Sequence, residues 1–158
     1  MKMNPYESII NTLKTYSVNY SELEHEPVYT SEQAAKVRGL SIDTGAKSLL
    51  LKANDNYYLV VLSGSKKIDS KKFKMAIGIK KFRFATPDEV KEKMLCNIGA
   101  CYPFGSIVKL DTYIDKSLIG QSIISFNPGR HDKSIKMDLK DYMMIENPKQ
   151  IDISISSN

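Results

Sequence analysis

Two apolar runs, residues 45–52 and 57–62, flank the cluster Asn54-Asp55-Asn56 and constrain the fold more than any other feature. A turn cluster of hairpin length between two such runs predicts an antiparallel β-hairpin, and both strands read as central ones. With a side-chain period of two, Lys47 shares a face with Leu49 and Leu51, so its stem lies among apolar neighbours. A lysine there either snorkels at the strand's start or carries its ammonium to a partner or a cavity, because an unpartnered buried charge is costly.

The remaining signals surround this hairpin. Asn4-Pro5-Tyr6-Glu7 opens a helix, with Asn4 as cap and Tyr6, Ile9, Ile10, Leu13 and Tyr16 along one face. Residues 20–24 read as a short strand, and Thr30-Ser31-Glu32-Gln33 caps a helix that Gly39 stops. Asp69 caps a lysine-rich helix ending near Gly78. Residues 81–85 alternate like a half-buried strand, and Thr86-Pro87-Asp88-Glu89 opens a further helix. Strands are predicted over 107–110, 112–114, 123–126 and 134–138, with a turn at Asn127-Pro128-Gly129, and a last helix over 139–145. From 147 to 158 the chain is polar and reads as a loose tail.

No repeat or linker divides the chain, so residues 1–158 read as a single domain. The order of elements predicts an α+β fold, a strongly twisted mixed sheet or partial barrel with helices outside it, and excludes a doubly wound nucleotide fold. At 42% hydrophobic residues the chain can bury a real core, and no apolar run approaches transmembrane length. The start Met1-Lys2-Met3-Asn4-Pro5 lacks the apolar stretch of an export signal, and Cys96 and Cys101 form no zinc pattern. A reduced cytoplasm and no membrane or metal partner are therefore expected. A net charge of +5 favours a polyanionic partner. Lys66, Lys67, Lys71, Lys72, Lys74, Lys80, Lys81 and Arg83 form either a solvated helix face or a nucleic-acid-facing patch.

Gly99-Ala100-Cys101-Tyr102-Pro103-Phe104-Gly105 is the other conspicuous stretch. Two glycines and a proline predict a rigid loop, either a bare set of amides facing an anion or oxyanion or a tight connector between a helix and a strand.

Four segments occur in order: 26–35 (Glu26-Pro27-Val28-Tyr29-Thr30-Ser31-Glu32-Gln33-Ala34-Ala35), Gly45-Ala46-Lys47-Ser48-Leu49, the Gly99 loop, and Phe126-Asn127-Pro128-Gly129. Together they resemble the YbaK/EbsC family, stand-alone relatives of the editing domain inserted in bacterial prolyl-tRNA synthetases, over residues 20–145. The resemblance implies hydrolysis of the ester of mischarged tRNA, without metal or organic cofactor. The partners it implies are the tRNA acceptor end and, beside it, an aminoacyl-tRNA synthetase. It implies that Lys47 inherits the family's activity-linked lysine and that Gly99 and Pro103 supply its G-x-x-x-P loop. Asn127 takes the late-strand position that meets substrate. Cys101 and Tyr102 depart from the family's small aliphatic residue and second proline, which leaves the acyl group open. A small amino acid, such as alanine on tRNA for proline, is the family's suggestion.

On this reading the amides near Gly99 and Ala100 hold the carbonyl oxygen or the attacking water. Lys47, packed beside Leu49, supplies positive charge, Asn127 bonds the substrate, and Tyr29, Tyr102 and Phe126 are candidate pocket walls. Two rivals remain: a thiol hydrolase with Cys101 as nucleophile and His25 or His131 as base, and a non-catalytic tRNA- or synthetase-binding module of the same fold.

Overall fold

The hairpin forms as its turn chemistry demands. In the computed structural model, which describes residues 4–157, strand β2 (Ala46–Ala53) pairs antiparallel with β3 (Asn56–Ser63), from Ala46 opposite Ser63 to Ala53 opposite Asn56. Asn54 and Asp55 sit at φ 51° and 67°, the pair of left-handed angles a two-residue hairpin turn requires and Asn and Asp tolerate. The Met1-Lys2-Met3 start and Asn158 lie outside the described residues.

Around the hairpin, β5 (Arg83–Phe84) pairs with β2, β6 (Thr112–Asp115) runs parallel to β3, and β9 (Lys149–Ile151) runs parallel to β6, giving a mixed five-stranded sheet. A second, antiparallel sheet holds β1 (Tyr20–Glu24), β8 (Lys133–Asp138) and β7 (Ile123–Phe126), and β4 (Lys66–Ile68) pairs with β10 (Ser154–Ser156). Among the described residues the strands thus divide among three sheets and close no barrel. The helices are α1 (Pro5–Thr15), α2 (Ser31–Arg38), α3 (Ser70–Ile77), α4 (Pro87–Met94) and α5 (Leu139–Glu146). Asn4, Thr30, Asp69 and Thr86 each cap one, with full capping boxes on α2 and α4.

The main core joins Ile9 and Leu13 of α1 to Leu50, Leu59 and Val61 of the hairpin and to Phe104, Phe126 and Tyr142. Phe104 packs edge-on against both Phe126 and Tyr142, at centroid distances of 5.6 and 5.2 Å. On the other side Leu51, Val60, Phe73 and Ile153 form a smaller cluster.

Two expectations are corrected. Residues 107–110 are not a strand: Gly105–Val108 form a 3₁₀ turn, because the Gly105 N–H bonds the Thr112 hydroxyl at 2.9 Å and the Leu110 N–H returns to the Gly105 carbonyl. The tail from 147 is not loose either. It supplies β9 and β10, and the buried Asp115 carboxylate pins it by accepting from the Ile153 N–H (2.8 Å) and the Ser154 hydroxyl (2.6 Å).

Candidate active site

One stretch of β2 lacks a neighbour. β5 pairs only with Leu51 and Lys52, and the bridge to β7 reaches only Gly45 opposite Ser125, so the strand edge between them is open. A cleft of about 190 Å³ lies there, walled by α2, the open edge, the Gly99 turn and the end of β7. Lys47, Ser48 and Leu49 line it from β2, Arg38 from α2, and Tyr29, Gly99, Cys101 and Asn127 from loops. Lys47 and Leu49 share a face with Leu51, but Leu51 is sealed under Phe73 and Ile153 whereas Lys47 and Leu49 open onto the cleft.

The polar groups here fall into two kinds. The Lys47 ammonium has no ion pair or hydrogen bond among the described residues, and burial holds its pKa below the usual lysine value, with Glu32 pulling weakly the other way. Ser48 is 8% exposed, and its hydroxyl is the one buried side-chain polar atom without a partner among the described residues. Arg38 is the opposite case. Its Nε donates to Ser134 Oγ at 2.8 Å, Nη1 to Ser125 Oγ at 3.1 Å and Nη2 to Asn127 Oδ1 at 3.2 Å. All three acceptors are neutral, and burial pushes the guanidinium pKa down to about 10, which leaves it cationic at neutral pH.

The structure brings Lys47, Leu49, Tyr29, Gly99 and Asn127 to one cleft. Gly99 is exposed at φ +88°, in the third position of a turn that the Ala100 N–H closes on the Asn97 carbonyl at 3.0 Å. That angle favours glycine, and an added Cβ would stand 3.2 Å from His131 Nε2. Tyr29 is 66% exposed and its ring lies 4.8 Å from that of His131.

Four other residues are placed differently from expectation. Ala100 is buried and its amide already closes the turn, so it is not available to an oxyanion. Tyr102 is a core residue whose hydroxyl donates to the Met94 carbonyl at 2.6 Å. Pro103 is buried with its carbonyl accepting from Tyr142 at 2.6 Å, and Phe126 is sealed in the aromatic cluster. None of the four lines the cleft. The loop is therefore a buried connector from Ala100 to Gly105, bare only at Gly99. Asn127 reaches the cleft, but its amide is occupied: Oδ1 holds Arg38, and Nδ2 donates to the Arg130 and Lys133 carbonyls at 3.2 and 3.1 Å. Neither histidine serves Cys101. His25 bonds Ser134 Oγ at 2.8 Å, His131 bonds the Ile98 carbonyl at 3.0 Å, and the partner of Cys101 is Cys96, 3.7 Å away and also buried. The thiol-hydrolase pairing is thereby overturned.

Sequence reasoning missed Arg38 and Ser48. Each carried a signal. Arg38 follows Ala34 by four residues on the buried side of α2, and Ser48 alternates with Ala46 and Leu50, so both put polar groups in a core-facing phase. Among the described residues no three His, Cys, Asp or Glu side chains gather as a metal-ligand set.

The chain matches the aminoacyl-tRNA editing domain over residues 25–145. It is 30% identical over 147 residues to the prolyl-tRNA editing protein ProX of Acetoanaerobium sticklandii, spanning 89% of this chain and 90% of that protein. It is 29% identical over 151 residues to the multifunctional Ser/Thr-tRNA deacylase ProXp-y of Escherichia coli, spanning 92% and 90%. Its fold superposes with TM-score 0.84 on a crystal structure described as a candidate trans-editing enzyme for prolyl tRNA synthetase. That match is 23% identical and covers 99% of this chain and 100% of the other.

Proposed function

The chain belongs to the aminoacyl-tRNA editing domain family, and on that premise we propose that it is a trans-acting deacylase that hydrolyses the ester of mischarged tRNA carrying a small amino acid. The observation that carries this reading is the meeting of an unpaired ammonium, an exposed glycine turn and an orphan hydroxyl in one open cleft.

In the reaction water adds to the ester carbonyl and the carbon–oxygen bond to the ribose breaks, yielding free amino acid and a ribose hydroxyl. The proton lost by water ends on that ribose oxygen, relayed by the neighbouring hydroxyl or the substrate's amine. Lys47 faces the charge that develops on the carbonyl oxygen, and the Gly99 N–H donates to the same oxygen, a contribution of about 10²–10³ in rate per donor. Arg38 keeps the β7 wall in register through Asn127 and adds positive potential. Tyr29 and Leu49 flank the acyl group. A cleft of about 190 Å³ lies below the roughly 300–1,000 Å³ of ordinary ligand pockets and suits a small acyl group better than a bulky one. The setting is the cytoplasm, where mischarged tRNA arises, with a prolyl-tRNA synthetase as the natural neighbour.

Incubation of the purified protein with a panel of mischarged tRNAs is the test. Expected is multiple-turnover release of free alanine, serine or threonine, with bulky aminoacyl groups spared. Binding of the same tRNAs without release of any amino acid would overturn the deacylase and leave the non-catalytic binding module.

A further inference from the structure

Only part of the lysine-rich run lines a groove. Lys66 and Lys67 lie on β4, and Lys72 is engaged by Asp152 at 3.4 Å and by the Ser154 carbonyl at 2.9 Å. Lys74, Lys80, Lys81 and Arg83 instead line a second groove, of about 540 Å³, together with Phe82 and Phe84. Arg83 is held by both oxygens of Glu89, at 2.7 and 3.0 Å, whereas Lys74, Lys80 and Lys81 have no ion pair among the described residues. Phe84 is 55% exposed and lines this groove and the cleft alike, standing at the threshold between them.

We propose that this groove is the track along which the single-stranded 3′ end of tRNA enters the cleft. Phe84 stacks on a base just outside, and Lys74, Lys80 and Lys81 contact successive phosphates. The inference rests on the deacylase reading for the identity of the RNA. An exposed aromatic ring flanked by unpaired cations combines the two elements that bind single strands, a stacking platform and an electrostatic groove. An apolar protein partner would leave the three ammonium groups unmatched, and an acidic one would leave the ring without a π-face to meet. Lysine reads the backbone as a point charge, so the track holds any tRNA and leaves selectivity to the cleft.

Binding of an uncharged tRNA transcript, followed by fluorescence anisotropy across a salt series, tests the track. In the triple variant Lys74→Gln, Lys80→Gln, Lys81→Gln the slope of log K against log salt is expected to fall by about 2, from roughly 0.7 per phosphate contact on a single strand. The matched variant Lys66→Gln, Lys67→Gln, Lys71→Gln loses the same charge and is expected to keep the parent slope. Phe84→Ala is expected to weaken binding about 5- to 150-fold, and Phe84→Trp to restore it. In deacylation the groove triple should lower kcat/KM for mischarged tRNA relative to kcat/KM for the corresponding aminoacyl-adenosine, which is too short to reach the lysines. Equal losses from the two triples overturn the track. So does an unaltered tRNA-to-adenosine ratio. Groove-dependent tRNA binding by a protein that releases no amino acid would refute the deacylase and sustain the track.

Discussion

The two walls of the cleft handle polar groups in opposite ways. On the β2 wall the Lys47 ammonium is unpaired and the Ser48 hydroxyl is orphaned. On the facing wall Arg38, Asn127, Ser125 and Ser134 satisfy one another in a closed network. A folded chain gains nothing from a buried group left without a partner, so the β2 wall bears a cost that a bound ligand can remove. The Arg38 wall is scaffold: it holds shape whether or not substrate is present. Substitutions on the two walls should therefore separate activity from stability.

Lys47 gives the largest effect. Lys47→Ala is expected to lower kcat/KM for deacylation by about 10² or more, with no loss in Tm. The pH dependence sharpens this. Burial lowers the Lys47 pKa in the fold below its value in the unfolded chain, so the stability linked to this site is present above the unfolded pKa and is lost as pH falls through the folded one. At pH 7 the charged lysine is thus a burden, and Lys47→Met should melt about 1–2 °C higher than the parent. That advantage should shrink as pH rises through the lowered pKa toward about 10.4. Over the same range enzymatic deacylation, corrected for spontaneous ester hydrolysis, should decline as the ammonium deprotonates. A Lys47→Met protein that melts below the parent at pH 7 would mean that the lysine is part of the scaffold.

On the opposite wall, Arg38→Ala removes three hydrogen bonds and strands their acceptors, at a cost of about 1–3 kcal/mol. For a chain of this size that corresponds to a fall in Tm of about 3–10 °C. Activity should fall about tenfold alongside, through the loosened Asn127. Arg38→Lys should recover little of either, because a point charge does not span three acceptors. Thermal melts and kcat/KM measured on the same preparations check the pairing. An Arg38→Ala protein with parental Tm would erase the distinction between the walls.

What the sequence made legible was local. The capped helix starts and the Asn54-Asp55 turn depend on neighbours within four residues, and Lys47 was singled out by its period-two phase with Leu49 and Leu51. The misplacements were non-local. Tyr102 and Pro103 belong to the core because Met94 and Tyr142 receive them, contacts spanning 8 and 39 residues. Gly105 is needed for space rather than for its backbone angle, since a Cβ there would sit 2.5 Å from Thr112 Oγ1. The polar tail became two strands because Asp115, some forty residues upstream, supplies acceptors for it. Burial of Ser48 was visible in the alternation of β2, but its lack of a partner depends on what α2 and the Gly99 turn leave uncovered.

Ser48→Ala gives the smallest effect and the most discriminating one. An ordinary buried serine is hydrogen-bonded, and truncating it costs stability because its partner is stranded. Ser48 has no partner to strand, so alanine should leave Tm unchanged or raise it by a degree or so. If the hydroxyl bonds the aminoacyl group or the attacking water, its loss removes one neutral hydrogen bond of about 0.5–1.5 kcal/mol, and kcat/KM should drop about 3- to 10-fold. Ser48→Thr keeps the hydroxyl and adds a methyl group, so it should retain more activity than alanine where the cleft has room for it. A fall in both quantities would place Ser48 with the Arg38 network, and a fall in neither would mean that the orphan hydroxyl meets no ligand, leaving Lys47 as the wall's one reactive group.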